Sequence, residues 1–540
     1  MKKYSVICLL GAFFFLAFKA SDYFEISKNL EIFADVYKEI NTSYVDEVEP
    51  GELIRAAIDG MLNSLDPYTD FYSEAQVEDY KYQMTGTYAG FGLSIRTIDS
   101  DFYIDNPVEG FACQKAGLRA GDKIKSIDGT ETYQKTKNEV FELLKGRAGT
   151  TSIIKIERPI VGELEFELTR EKIASKNVPY FNLMNEIGYI KLAGFAPNAA
   201  KEVRDAVLNL KNNGAQKFVL DLRDNGGGLL NEAIDIVNIF IPRGQVVVET
   251  RGKFKEDNRT YKTLNSPVDI QSPLIIIING NSASASEIVS GSLQDLDRAV
   301  LIGRTSFGKG LVQSTKTLSY NTSIKITTAK YYLPSGRLIQ RLDYSNKVNG
   351  KAFAVADSLK QKFKTKNGRF VVDGQGIEPD LTIEKFPFSE LSESLLKNHL
   401  FFKYAAQYRE QHDSILSPLS FEVSDEIFSE FCKFISDKDY AYVTKTEKEI
   451  QQLEKQAIQD NYHDLLAEEL SKLKITMSEI KQSDIQNHKE EIKRILDSEI
   501  SQHFFYERGY IESRFDYDDD WEKSKELFSD IHVFNKYLVP

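Results

Sequence analysis

Histidine is scarce in this chain and missing from its first 398 residues. All six histidines of the 540 residues fall at or beyond residue 399: His399, His412, His463, His488, His503 and His532. The strand-and-helix stretch before them has none. A Ser-His-Asp triad built within that stretch is therefore excluded, and a histidine-ligated metal there is disfavoured. Cysteine is as thin. Cys8 sits in an N-terminal apolar run, and Cys113 and Cys432 stand far apart, so neither a disulfide framework nor a thiolate metal cluster is expected. Positive charge is in deficit too. With 68 Lys and Arg against 81 Asp and Glu, the formal charge is −13, which argues against a nucleic-acid binder, because phosphate contacts need a clustered basic surface.

Long apolar runs are limited to one, at the N-terminus. "MKK" supplies positive charge, Tyr4 to Phe18 is apolar, and Lys19 and Asp22 end the run. That length suits an export signal and falls short of the roughly 20 residues of a membrane span. "KAS" offers a cleavage site, with an uncleaved anchor as the alternative. Either way the expected location is the cell envelope or periplasm.

The rest of the chain divides by hydrophobic period. After residues 1–20, the signal or anchor, residues 21–84 read as a helical segment. "YFEISKNLEIFADVYKEI" there spaces Phe24, Leu30, Phe33 and Val36 helically, and the turn "DPYTD" follows. Residues 85–168 read as a small β-rich module, with short apolar runs cut by Gly, Asp and Pro around one helix, "TKNEVFELLKG". Residues 169–385 alternate strand, loop and helix, the α/β signature. In that region "PLIIIIN" is apolar on both faces, as a central strand should be, and "SIKITTAKYYL" and "GRLIQRL" read as two further strands. Residues 386–540 are charged and helical, with apolar residues three and four apart.

The stretch "GRTSFGKGLVQ", residues 303 to 313, resembles a phosphate-binding loop. Such a loop needs Ser or Thr after its Lys, and then a helix whose N-terminus meets the phosphates. Gly310 follows Lys309, and "LVQSTKTLSY" alternates like a strand, so the nucleotide reading fails. A lysine can instead serve as the base that activates a serine. It must then be neutral at working pH, which lowers its pKa by two to three units, or roughly 3–4 kcal/mol of differential desolvation. The flanks suit this, since Phe307, Leu311 and Val312 are apolar. "NSASASEIV" sets serines directly after the central strand and at the mouth of a helix, where amide groups can stabilise an oxyanion. Plain N-capping by Ser282 or Ser286 is the alternative use of these hydroxyls. "DLRDNGGGLL" also follows a buried strand, and its glycines let backbone amides face a ligand.

Taken together, "SLDPYTDFYS", "GFGLSI", "AGLRAGDKIKSIDG", "LDLRDNGGGLLNEA", "NSASASEIVSGSLQDLDRA", "GRTSFGKGLVQ" and "TTAKYYLPSGRLIQ" resemble the carboxyl-terminal processing peptidases, or tail-specific proteases, in that family's order. The resemblance implies a multidomain α/β + β protein: a crotonase/ClpP-like protease core, an inserted PDZ domain, an N-terminal helical segment and a helical C-terminal extension. It implies that Ser284 is the nucleophile, Lys309 the general base, and Gln313 the residue that orients the lysine amine. Residues 309 and 313 would share one side of the backbone in strand or helix. The oxyanion hole would be the amides of Ala285 and of Gly227 or Gly226. One variation is "NGGG" where many relatives have Pro before the glycine pair. Gly90, Phe91, Gly92 and Leu93 would hold a substrate's terminal carboxylate, with the peptide added as a strand along "SIRTI". The PDZ domain would thereby gate the protease. The expected partners are protein and peptide C-termini, without nucleic acid, metal or organic cofactor; membrane association and a homodimer or adaptor stay open. The competing reading is a non-catalytic PDZ scaffold of the cell envelope.

Overall fold

The computed structural model describes residues 2–77, 80, 86–348, 350–384 and 387–540. The chain forms two compact units, one made of Met1–Val77, Gln313–Thr328 and Tyr344–Phe353, the other of the remainder.

In the smaller unit, helix Lys2–Ser43 runs through the expected export signal, whose apolar side chains lie outside the described residues. Among the described residues no helix is long and apolar enough to cross a membrane. Helix Pro50–Asn63 starts on a proline, whose missing N–H costs nothing in a first turn. The Asp66 carboxylate then accepts from the Tyr68 N–H and the Thr69 hydroxyl, making the expected turn. Strand Asp70–Tyr72 follows and pairs antiparallel with residues 323–325. The apolar stripe read from the sequence is here solvent-exposed, Phe24 at 69% and Leu30 at 63%.

The larger unit is built on a six-stranded sheet. In spatial order its strands are Tyr180–Met184, Ile187–Lys191, Lys217–Asp221, Leu274–Ile278, Val300–Gly303 and Leu381–Thr382, parallel after the first pair. All five residues of Leu274–Ile278 are fully buried, which explains why that strand is apolar on both faces. Helices Ala199–Asn212, Leu230–Phe240 and Ala285–Asp295 cover one face. The other face, with Tyr189, Val219, Ile275, Ile277, Val300 and Ile302, packs against Phe515, Trp521, Leu527, Phe528 and Phe534. The last two helices, Asp519–Ser529 and Ile531–Lys536, therefore close the core of a sheet that begins more than 300 residues earlier.

The β-rich module is an antiparallel sheet in the order Leu93–Ile98, Asp101–Pro107, Lys123–Ile127, Thr151–Arg158, Gly162–Thr169. Thr151–Arg158 alternates exposed and buried at every residue, so one face makes a core with Phe91, Phe102 and Ile104. Its helix, Lys137–Leu144, opens on a capping box between Thr136 and Glu139. Leu93–Ile98 is an edge strand, and strands Thr87–Gly90 and Glu171–Ala174 pair with each other where the module enters and leaves the core.

One strand expectation fails. "GRLIQRL" makes no ladder before Leu342, because its backbone bonds instead to surrounding loops. Gly374 and Gly376 donate to Leu338 and Ile339, and Arg341 donates to Gly308. Arg337 meanwhile sits at 1% exposure against Asp295 at 2.8 Å.

Candidate active site

The strand Leu274–Ile278 runs into the loop 279–283 and then helix Ala285–Asp295, with Ser284 between them as N-cap. Ser284 has φ 56° and ψ −111°, a left-handed backbone that costs a non-glycine residue on the order of 1–3 kcal/mol. Its N–H donates to Glu287 Oε2 at 2.8 Å, and its carbonyl accepts from the Glu287 and Ile288 amides at 2.9 and 3.0 Å. The flanking serines have other duties. Ser282 is buried and donates to the Leu222 carbonyl, and Ser286 is buried and donates to the Asn225 carbonyl, each at 2.8 Å. Of the three, only Ser284 reaches the surface.

Lys309 lies in the loop 304–310, half-buried, just before strand Leu311–Thr317. The strand begins only at Leu311, so the shared-face argument for residues 309 and 313 does not apply. The backbone of the loop is held by Glu287, Arg341 and Gln340 rather than by a ladder.

Glu287 is the centre of the arrangement. It is fully buried, and its carboxylate accepts from the Ser306 hydroxyl at 2.5 Å, the Gly308 N–H at 2.6 Å, the Lys309 N–H at 2.9 Å and the Ser284 N–H. One oxygen, Oε2, thus bridges the backbones of residues 284 and 309. Burial pushes this carboxyl above its usual range, and the four donors pull it back. The Tyr331 hydroxyl makes a second bridge, 2.7 Å from the Lys309 carbonyl and 3.3 Å from that of Ser284. Sequence reading passed over both residues. Glu287 had a signal, since S-x-x-E is a capping box; Tyr331 had none.

The glycine loop meets the same point from the neighbouring strand. Gly227 has φ +97°, and a Cβ there would lie 2.7 Å from the Ala283 carbonyl and 2.9 Å from both the Ala285 nitrogen and Ser284 Cβ. Only glycine fits. Ala285, as the first residue of the helix, has an N–H with no acceptor inside the helix. The Gly227 N–H is engaged, donating to Asn225 Oδ1 at 2.9 Å. Gly226 has open space around it, while Gly228 is pressed onto the Phe195 carbonyl. Asn225 anchors the loop, donating to the Leu192 carbonyl and accepting from the Ala283 N–H. A cavity of about 410 Å³ opens beside it, lined by Lys176, Asn177, Phe195, Ala196, Gly227 and Leu229.

Gln313 belongs to the smaller unit, where its amide donates to the Thr327 hydroxyl at 3.1 Å. In the β-rich module, Gly92 has φ +75° and a Cβ there would strike that of Phe111 at 2.4 Å, while a Cβ on Gly90 would meet the Tyr88 ring. Phe91 is buried under the Arg170 guanidinium, and Leu93 opens the edge strand. The loop therefore leads directly into the edge strand of the sheet.

A serine with positive φ at the mouth of a helix, next to a glycine loop and tied through Glu287 to the backbone of Lys309, stands at the carboxyl end of an α/β sheet, where a peptidase of the serine type would carry its site. Residues 186–348 match peptidase family S41, and residues 103–158 match the PDZ domain. Residues 391–528 match "Probable PDZ-protease, C-terminal helical domain", and 17–76 match "Activating protease CtpB N-terminal domain". The chain is 34% identical over 342 residues to a carboxy-terminal-processing protease of Bartonella bacilliformis, covering 62% of this chain and 77% of that protein. It is 30% identical over 306 residues to the carboxy-terminal processing protease CtpA of Bacillus subtilis, covering 56% and 65%. The photosystem II D1 C-terminal processing protease is similar at 25% identity with a TM-score of 0.36, covering 65% of this chain and 92% of that one. The chain belongs to the S41 carboxy-terminal processing proteases, serine peptidases that carry a PDZ domain.

Proposed function

We propose that this chain is an exported serine endopeptidase that cuts at or near the C-terminal region of protein substrates with a Ser284–Lys309 dyad. The observation that carries the reading is the single Glu287 oxygen accepting from the backbones of both residues. Neutral Lys309 takes the Ser284 proton as Oγ attacks the scissile carbonyl. The Ala285 N–H and a glycine N–H of residues 226–227 receive the oxyanion, which requires the Gly227 N–H to leave Asn225 or Gly226 to serve in its place. Lys309 then protonates the departing amine, and water resolves the acyl-enzyme by the same route. Gln313 is assigned to orient the lysine amine. The substrate's terminal carboxylate is assigned to the Gly90–Leu93 amides, with its last residues paired to the free edge of Leu93–Ile98, so that occupancy of this domain governs cutting. The N-terminal apolar run is assigned to export into the cell envelope.

The test is cleavage of a tailed model protein by Ser284→Ala and Lys309→Ala variants, both expected to lose at least about a thousandfold in kcat. Parental kcat/KM should rise with pH along a limb set by deprotonation of Lys309, and that limb should vanish in Lys309→Ala. Cutting by both variants at the parental rate would overturn the dyad, and absence of cutting by the parent itself would favour the scaffold reading. A folded body found in the cytoplasm, digested by protease only after the inner membrane is broken, would remove the export assignment alone.

A further inference from the structure

We propose that the C-terminal segment around Asp518 and Asp520 positions the oxyanion loop through Arg223. This rests on the reading of residues 226–228 and Ala285 as the oxyanion site. Arg223 stands two residues past the strand Lys217–Asp221 and four before Gly227. Its guanidinium is 15% exposed and fully committed. Nε and Nη2 grip Asp221 at 3.0 and 2.6 Å. Nη1 reaches Asp518 at 2.8 Å and Asp520 at 3.0 Å, and Nη2 meets Asp518 again at 2.6 Å. The Tyr189 hydroxyl donates to Asp221 from behind, and the Arg223 carbonyl accepts from Lys191 Nζ, each at 2.6 Å.

The grip sits at the root of the loop, not under the sheet. From Arg223 the chain turns through Asp224, at φ 61°, whose carboxylate accepts from the side-chain amides of Asn279 and Asn281 at 2.9 and 2.8 Å. It continues through Asn225 to Gly227, which lies against Ser284. Burial of apolar surface by Trp521, Leu527 and Phe528 already holds the tail to the sheet. The two carboxylates at the strand's carboxyl end, of which Asp520 also lies 3.6 Å from Arg304, are not needed for that. A planar guanidinium held by three carboxylates fixes both its rotamer and its backbone, which a single Asp221 partner leaves free to swing. An error of about 1 Å at the glycine amides would cost up to about 100-fold in rate.

The test compares the full-length enzyme with Asp518→Asn/Asp520→Asn on three readouts. The kcat on a tailed substrate should fall about 10- to 100-fold with KM little changed. The affinity for a peptide aldehyde, whose adduct places an oxyanion in the site, should fall by the same factor. The affinity of an uncleaved tail peptide in a Ser284→Ala background should not move. Asp518→Glu/Asp520→Glu, which restores the charges, should recover part of the loss. If the asparagine variant does not fold, Asp520→Asn alone, which leaves the Asp518 helix cap in place, carries the same comparison. Parental kcat and aldehyde affinity in these variants would overturn the proposal, as would a loss of kcat equal to the fraction of unfolded protein. A parent enzyme that does not bind the aldehyde at all would instead overturn the oxyanion reading on which the clamp depends.

Discussion

Glu287 joins local and long-range roles in one side chain. Locally it closes the cap of helix Ala285–Asp295, taking the Ser284 N–H. At long range it takes three donors from residues 306–309. Removing one acceptor oxygen leaves buried N–H groups facing an amide, at about 1–3 kcal/mol each. Glu287→Gln is therefore expected to destabilise the fold by a few kcal/mol, read as a lower denaturant midpoint. Its kcat should fall more than that loss of folded protein explains, because residues 284 and 309 lose their shared anchor. Equal proportional losses in folded fraction and kcat would reduce Glu287 to a structural group. At this level the sequence marked Ser284, Lys309 and Gly227 as candidates, each by a local pattern of turn glycines, small residues or apolar flanks, and the fold brings their backbones together. The sequence was mute about Tyr331, an aromatic in a strand that looks like any other core residue until its hydroxyl is seen between two carbonyls.

Among elements, helix Lys489–Glu512 is notable for what it buries against the PDZ module. Gly121 of the module comes so close to the neighbouring helix Leu400–Gln411 that a Cβ would lie 2.2 Å from that of Ala406. Arg119 pairs with Glu410 at 2.7 Å, and Arg96 covers the Phe402 ring. His503 is buried there and Glu499, one turn before it, is half-buried with its carboxylate turned inward; His503 Nε2 and Glu499 Oε1 are unpartnered among the described residues. Desolvation pulls His503 down to about 4 and pushes Glu499 up to about 7. The two act on stability in opposite directions. A histidine depressed in the fold removes stability as pH falls from about 6.5 to about 4. A carboxyl raised in the fold removes stability as pH climbs from about 4.5 to about 7. Glu499→Gln is thus expected to tilt the curve of Tm against pH upward over pH 4.5–7, and His503→Phe to tilt it downward over pH 4–6.5. Curves that keep the parental slope in both variants would mean that neither group is held neutral by the contact. Element types here were legible, since Thr136 and Glu139 announce a helix start and "TSIIKIER" announces a half-buried strand. "GRLIQRL" was misread because alternation signals extended chain, and only neighbours decide whether that chain joins a ladder.

For the molecule as a whole, the tail is part of the protease core. Trp521 and Phe528 lie beneath Ile275, Ile277 and Val300, so shortening the chain after residue 513 would bare one entire face of the central sheet. That truncated form is expected to aggregate or to stay unfolded on expression. Trp521→Ala in the full chain should cost about 3–5 kcal/mol, read from denaturant unfolding. A soluble, active enzyme ending at residue 513 would show the tail to be an appendage. The smaller unit makes a contrast: its helices carry exposed Phe24, Ile26, Leu30 and Val36, and Pro50–Asn63 buries no residue at all.

The sequence on its own determined the PDZ module, the family and most of the elements, because those depend on signals within a few residues of each other: period, caps, turn glycines and ordered motifs. It also excluded a histidine triad built within the α/β region, leaving only the tail histidines to lend one. Folding alone decided that Glu287 joins the serine to the lysine loop, that Asn225 occupies the Gly227 amide, and that carboxylates from residues 518 and 520 reach Arg223. The Glu287 and Arg223 pairings close over tens to hundreds of residues, and the Asn225 turn is local but set by loop geometry, so each gains its meaning from whatever the chain brings to the other side.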